Sequence, residues 1–343
     1  MLKGKMKDLT KISPTTLILI GVASALLSPF PLLYAPYFLT RYYVTILQTV
    51  LMWMTLSISW YFFSGFTKYI ALGSAVFTGT GLYFTATYLN LMTFEGYPIL
   101  PFPVIVLLAG SICFVLALAI GLVTLRLKGI YFAIATFGMS ELVAGVIRWW
   151  QSKAGMHYII FIPSFGRYII YYSILTTALA ILLLTTFLRR SKFGLALKMM
   201  GECEDAAAHF GVNTTLFKVL GFAISAMCMG LMGGSYAIRF PSINIRDAFS
   251  VEYSFVPVVM VLLGGVGTAY GPIIGAVTLS LLNQYLLVTF TGYFQLIYGA
   301  ILILIVLFMP NGIMGIIMGT VGKLKATKLI RRKELAKAPK MPP

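Results

Sequence analysis

Nine acidic residues stand in a chain of 343, and three of them, Glu202, Glu204 and Asp205, fall within four positions of one short stretch, GECEDAAAHFGVN over 201–213. Negative charge in the first turn of a helix complements its dipole. The three acids followed by Ala206, Ala207 and Ala208 therefore describe a short helix, and Gly211 stands where a helix-ending glycine belongs. These residue types suit docking to another protein or a connection between two elements. A plain connector needs neither a charged first turn nor an alanine run, which favours docking.

Glu141 is the second candidate, in IATFGMSELVAGV inside an apolar run. An ionised carboxylate at bilayer depth costs at least about 2.5 kcal/mol, so it must face protein, water or a partner. Two readings stay open for it: a polar element of a translocation path or gate, and a structural hydrogen bond between helices. Asn283 and Gln284 pose the same question less strongly. His157 and His209 are too isolated for a catalytic or metal cluster. Cys113, Cys203 and Cys228 are widely spaced, two of them in apolar runs, and outline neither a disulfide framework nor a metal site. The chain has no GxxxxGK[ST] loop, so hydrolysing ATP by that route is excluded, and no residue is assigned a catalytic role.

The elements that position these residues are membrane helices. A mean hydropathy of +0.93 with 10% charged residues does not fit a water-facing surface. Apolar runs of spanning length recur where a barrel would show short alternating segments. The expected fold is all-α and polytopic, with about ten crossings at 15–34, 43–63, 69–91, 102–125, 130–150, 168–188, 218–238, 253–266, 272–290 and 293–310. Ten crossings with both ends inside place twenty of the 26 basic residues on the cytoplasmic side; Arg41, Arg148, Lys153, Arg167, Arg239 and Arg246 remain outside. The net charge of +17 thus reports topology and anionic lipid, not nucleic acid. Residues 1–14 form a cytoplasmic segment, 15–318 the membrane domain with a polar loop at 189–217, and 319–343 a basic cytoplasmic tail. A cleaved signal peptide ending near Ala23-Ser24-Ala25 is an alternative to a retained first helix, which the apolar character continuing to Leu33 favours. Two glycine-rich segments, 64–84 and 263–276, fit tight helix packing or counterpart positions in two halves of an internal repeat.

Several motifs in order carry a resemblance: FSGFTKYIALGSAVFTGTGLY, LRLKGIYFAIATFGMSEL, SKFGLALKMMGECEDAAAHFGVNTTLFKVLGFAISA, VMVLLGGVGTAYGPIIGA and YGAILILIVLFMPNGIMG. From about Tyr43 to Gly315 the chain resembles the permease subunits of ABC importers for branched-chain amino acids, specifically the longer M-type subunit. That resemblance implies an ABC importer permease fold at the cell membrane, with two cytoplasmic ABC ATPase subunits, a sister permease and an extracytoplasmic substrate-binding protein as partners. ATP would be used by the ATPases, with no cofactor in this chain. Glu202, Glu204, Asp205, Ala206, Ala207 and Gly211 become the coupling helix, and Glu141, Gly73, Gly264 and Gly265 candidates for the translocation path. The chain departs from the family's pattern at Gly201, Cys203 and Asp205, and at Lys68 and Tyr69 in the first glycine-rich segment. Permeases for urea or short amides share the scaffold, and an ion-driven secondary transporter is the reading from another class. A lipid-modifying enzyme would need an interfacial cluster of His, Asp or Glu that the chain lacks.

Overall fold

The computed structural model describes residues 37–94, 96, 100–153, 159–266, 270–290, 292–308 and 312–315. The first expected crossing, the segment 1–14, the tail 319–343 and His157 lie outside the described residues. Helix α1 (Tyr37–Trp60) runs on through a wider π turn (Tyr61–Gly65) and is followed by α2 (Ser74–Phe94), α3 (Phe102–Thr124) and α4 (Ile130–Lys153). Strand β1 (Ile159–Phe161) leads into α5 (Arg167–Arg190), then the short helices α6 (Lys192–Glu202) and α7 (Glu204–His209) and the long α8 (Thr214–Ala237). Strand β2 (Ser242–Asn244), a turn of helix α9 (Ile245–Ala248), α10 (Glu252–Gly264), α11 (Gly271–Thr289) and α12 (Phe294–Phe308) complete the described chain.

Among the described residues seven helices are long and apolar enough to cross a membrane. This is a multi-pass membrane protein; ten crossings are not established. Helix α2 is 21 residues long but is not one of the seven. It carries Thr78, Thr80, Thr85 and Thr87, and no residue from Ser74 to Met92 is exposed. Its neighbours replace lipid as its solvent. Glycines make that possible: a Cβ at Gly81 would overlap the carbonyl of Gly230 in α8, and one at Gly233 the carbonyl of Thr78. Small residues at such crossings let backbones approach closely. Helices α3, α4 and α5 lie further out and bury one side each, leaving Val115, Val123, Leu183 and Phe187 exposed, as lipid-facing surfaces require.

At one end of the bundle, β1 and β2 pair antiparallel with Ile160 opposite Ile243, both buried. The periodicity of the sequence had announced neither strand: three residues are too few to show an alternation. We term this the strand end. The α6–α7 loop lies at the opposite end of α5, the loop end.

Both glycine-rich segments contain breaks. The expected helix over 69–91 begins only at Ser74, and residues 68–73 are non-helical. The break is pinned from within: the Trp60 indole donates to the Ala71 carbonyl at 2.7 Å, and the Lys68 amide to the Ser64 carbonyl at 3.0 Å. Lys68 takes a φ of 60°, which a side chain tolerates only where its surroundings hold it. The second segment breaks at Gly265, whose φ of 103° favours glycine.

Candidate functional site

The loop 189–217 folds as two helices, not as one capped connector. Cys203, extended at φ −156°, separates them, so Glu202 ends α6 while Glu204 and Asp205 open α7. This corrects the expectation that all three acids share one first turn. A carboxylate at a helix C-terminus meets an unfavourable dipole, and Glu202 pairs outward with Lys68 at 3.4 Å. Gly211 does end α7, at φ +81°, with its amide donating to the Ala208 carbonyl at 2.9 Å.

Each site residue then has a definite place. Asp205 is exposed, Ala206 half-buried, and Ala207 only 1% exposed, packed in a cluster with Phe62, Leu197 and Met200. The small side chain of Ala207 therefore leaves room for this chain's own core. The outward positions are Asp205, Ala208, His209 and Phe210, the last 79% exposed, with Leu195 and Leu216 exposed nearby. An aromatic in a polar loop is a signal the sequence carries at Phe210, whereas its exposure is not.

Glu204 points inward. Its carboxylate accepts from the Tyr69 hydroxyl at 2.9 Å and from Lys218 Nζ at 2.5 Å, and Lys218 also donates to the Tyr69 oxygen at 3.4 Å. The Lys218 side chain is 6% exposed, with its ammonium 5.0 Å from the Tyr69 ring centre. Burial works to raise the Glu204 pKa, but the hydrogen bonds from Lys218 and Tyr69 and the charges of Lys218 and Lys128 outweigh it and hold the carboxyl below its ordinary value. Burial, together with the bond and charge of Glu204, pushes the Tyr69 hydroxyl up to about 12. Lys68 and Tyr69, where the sequence departs from the pattern it resembles, thus stand against Glu202 and Glu204.

Glu141 does not turn toward its own bundle. Helix α4 buries Ala133, Thr136, Ser140 and Ala144, whereas Glu141 is exposed together with Gly138, Leu142 and Gly145. Of the settings the sequence left open for Glu141, the described residues of its own bundle do not supply one: beside Gly138 and Gly145 on the same face, nothing beyond the helix's own backbone comes within 4 Å of where a side chain would begin. Gly73 is buried elsewhere, against Thr136 of α4, where a Cβ would come 2.7 Å from the carbonyl oxygen. Gly264 and Gly265 meet Gly271 and Gly312, backbone on backbone. These glycines serve close approach and do not converge with Glu141 on one cluster.

A sequence model described as "Branched-chain amino acid transport system / permease component" matches residues 42–306. The chain belongs to this permease family. The high-affinity branched-chain amino acid transport system permease protein LivM of Salmonella typhimurium is 24% identical over 311 residues, 81% of this chain and 71% of the relative. A probable branched-chain amino acid transport permease protein LivM of Methanocaldococcus jannaschii is 27% identical over 270 residues, 71% of this chain and 77% of the relative. LivH of Escherichia coli is 34% identical over 149 residues, but that covers only 41% of this chain and 46% of the relative. No solved structure matches. The matched span of the permease, 42–306, includes Glu141, both helix breaks and the whole α6–α7 loop.

Proposed function

We propose that this permease is one of two membrane subunits of an ABC importer for branched-chain amino acids, lodged in the cell membrane with its loop end in the cytoplasm. Lys68, Arg126, Lys128, Arg189, Arg190, Lys192, Lys198 and Lys218 gather at the loop end, against Arg148, Lys153, Arg167, Arg239 and Arg246 toward the strand end, and this asymmetry supports the orientation. The α6–α7 loop docks a cytoplasmic ABC ATPase, one of two, which binds and hydrolyses ATP. An extracytoplasmic binding protein delivers substrate to the strand end. A sister permease covers the Glu141 face of α4, removing an exposed carboxylate from lipid, and the path runs between the two subunits.

The observation that carries the docking role is the outward surface of the loop. Phe210 projects 79% exposed beside Asp205, Ala208 and His209, while the inward side of the same short helix is fixed to the chain. An aromatic held out by a rigid support, with charges around it, is the composition of an interface anchor.

Co-purification with the ATPases, and substrate-stimulated ATP hydrolysis in liposomes, tests the reading. Full burial of a phenylalanine is worth about 1.5–3 kcal/mol, so Phe210→Asp is expected to weaken ATPase binding about tenfold or more. Normal binding and hydrolysis in that variant would remove the docking role. Uptake that runs in the permease without any ATPase would favour the ion-driven class instead.

A further inference from the structure

The acids on either side of Cys203 reach back to two consecutive residues of the same break: Glu202 to Lys68 at 3.4 Å, and Glu204 to Tyr69 at 2.9 Å. The two contacts differ in kind. Lys68 and Glu202 are 61% and 69% exposed, a pair that water and salt weaken. Glu204 instead joins Tyr69 to a lysine that is almost wholly buried. Releasing that contact would strand a buried ammonium without its partner, which is costly. The Tyr69–Glu204–Lys218 contact therefore survives movements that would part the outer pair.

Its far side is tied just as closely. The Tyr69 ring sits edge-on to Phe132 of α4 at 5.5 Å, and three residues along, the Leu72 amide donates to the Thr136 hydroxyl of α4 at 3.1 Å. Gly201 of α6 lies so near the Phe66 carbonyl that a Cβ would overlap it. Phe132 and Thr136 are on the buried side of the helix whose open side bears Glu141. A continuous set of contacts thus runs from α7 through the break to α4.

We propose that Tyr69, Glu204 and Lys218 form the joint through which displacement of the α6–α7 loop moves the broken helix and, with it, α4. They are positioning residues: none need touch substrate or nucleotide. The joint rests on the reading of the loop as the ATPase-docking segment. Coupling between distant sites requires a physical element that both bias, and the break at 68–73, held by its own short hydrogen bonds at one side and by α7 and α4 at the others, is that element.

The test uses the complete importer, reconstituted in liposomes with both ATPases, the sister permease and the binding protein, with branched-chain amino acids as substrate. The readout is substrate transported per ATP hydrolysed, measured beside ATPase co-purification and thermal stability. Tyr69→Phe keeps the ring against Phe132 and deletes only the donor; Glu204→Gln keeps the size and removes the charge. Both are expected to assemble with the ATPases and keep basal hydrolysis while transport per ATP falls about tenfold, the ratio that loss of a hydrogen bond to a charged group represents. Exchanging the partners, Glu204→Lys with Lys218→Glu, is expected to recover part of that loss; a contribution to stability alone would instead lower the melting temperature of the single variants and leave transport per ATP unchanged. An unchanged ratio in both single variants overturns the joint. So does loss of ATPase binding in Glu204→Gln, which would make the residue part of the docking surface. Failure of the unaltered permease to bind ATPase would overturn the docking reading beneath it, a result separable from either.

Discussion

At the residue scale, position on a short helix decides the fate of near-identical side chains. Ala207 and Ala208 are neighbours, yet one is sealed among Phe62, Leu197 and Met200 and the other is exposed. Ala207→Trp is expected to destabilise the loop by about 1–3 kcal/mol through overpacking, visible as a lower melting temperature of the permease alone. Ala208→Trp should leave that temperature nearly unchanged while weakening ATPase binding. The sequence made the acids conspicuous and could order them along the helix, but not say which would face inward, because their partners Tyr69 and Lys218 stand 135 and 14 residues from Glu204. The joint is also predicted to be insensitive to pH across the neutral range. Glu204, depressed below 4.5, contributes above that value and is lost only as pH falls through its lower folded value. Tyr69, raised from 10.0, contributes below 10 and is lost as pH rises toward about 12. Transport per ATP should therefore be flat between these limits as far as the joint is concerned.

At the element scale, helix existence was legible, as was the gap between the runs at 253–266 and 272–290, beside which Gly265 ends α10, whereas the break at 68–73 was not. The apolar runs at 102–125, 130–150 and 168–188 correspond to α3, α4 and α5 within a few residues. The run at 69–91 hid a break, because residues 68–73 contain Ile70, Ala71 and Leu72 and are apolar enough to pass for helix. What marks the break is Gly201, over a hundred residues away, whose missing side chain admits the Phe66 carbonyl. Gly201→Ala is expected to push α6 off the break, since a backbone carbonyl cannot yield cheaply, and to cost about 1–3 kcal/mol. Thermal unfolding in detergent measures it. The surroundings of Glu141 were open in the sequence for a different reason. The cost of a charge in lipid requires that something cover it, but a single chain's sequence does not reveal whether the cover is its own or another subunit's.

At the scale of the whole molecule, the exposed thiol supplies a direct check of orientation. Cys203 is exposed on the loop, while Cys113 and Cys228 are buried. A membrane-impermeant thiol reagent is expected to leave intact cells unlabelled and to modify Cys203 once the cytoplasmic face is opened; labelling from outside would invert the proposed topology. The burial of α2 reaches further still, into the order of assembly. A helix with Ser74, Thr78, Thr80, Thr85 and Thr87 in its interior is a poor candidate to leave the translocation machinery for lipid by itself. Its Gly81 packs on α8, which begins at Thr214, and its Gly79 on Ala248 of α9, both synthesised well after α2 ends at Phe94. During that interval α2 must wait in a protein or aqueous shelter and partition only when its companion emerges. A nascent chain stopped before Thr214 should accordingly leave a cysteine placed in α2 open to aqueous reagents, and one extended past Ala237 should not.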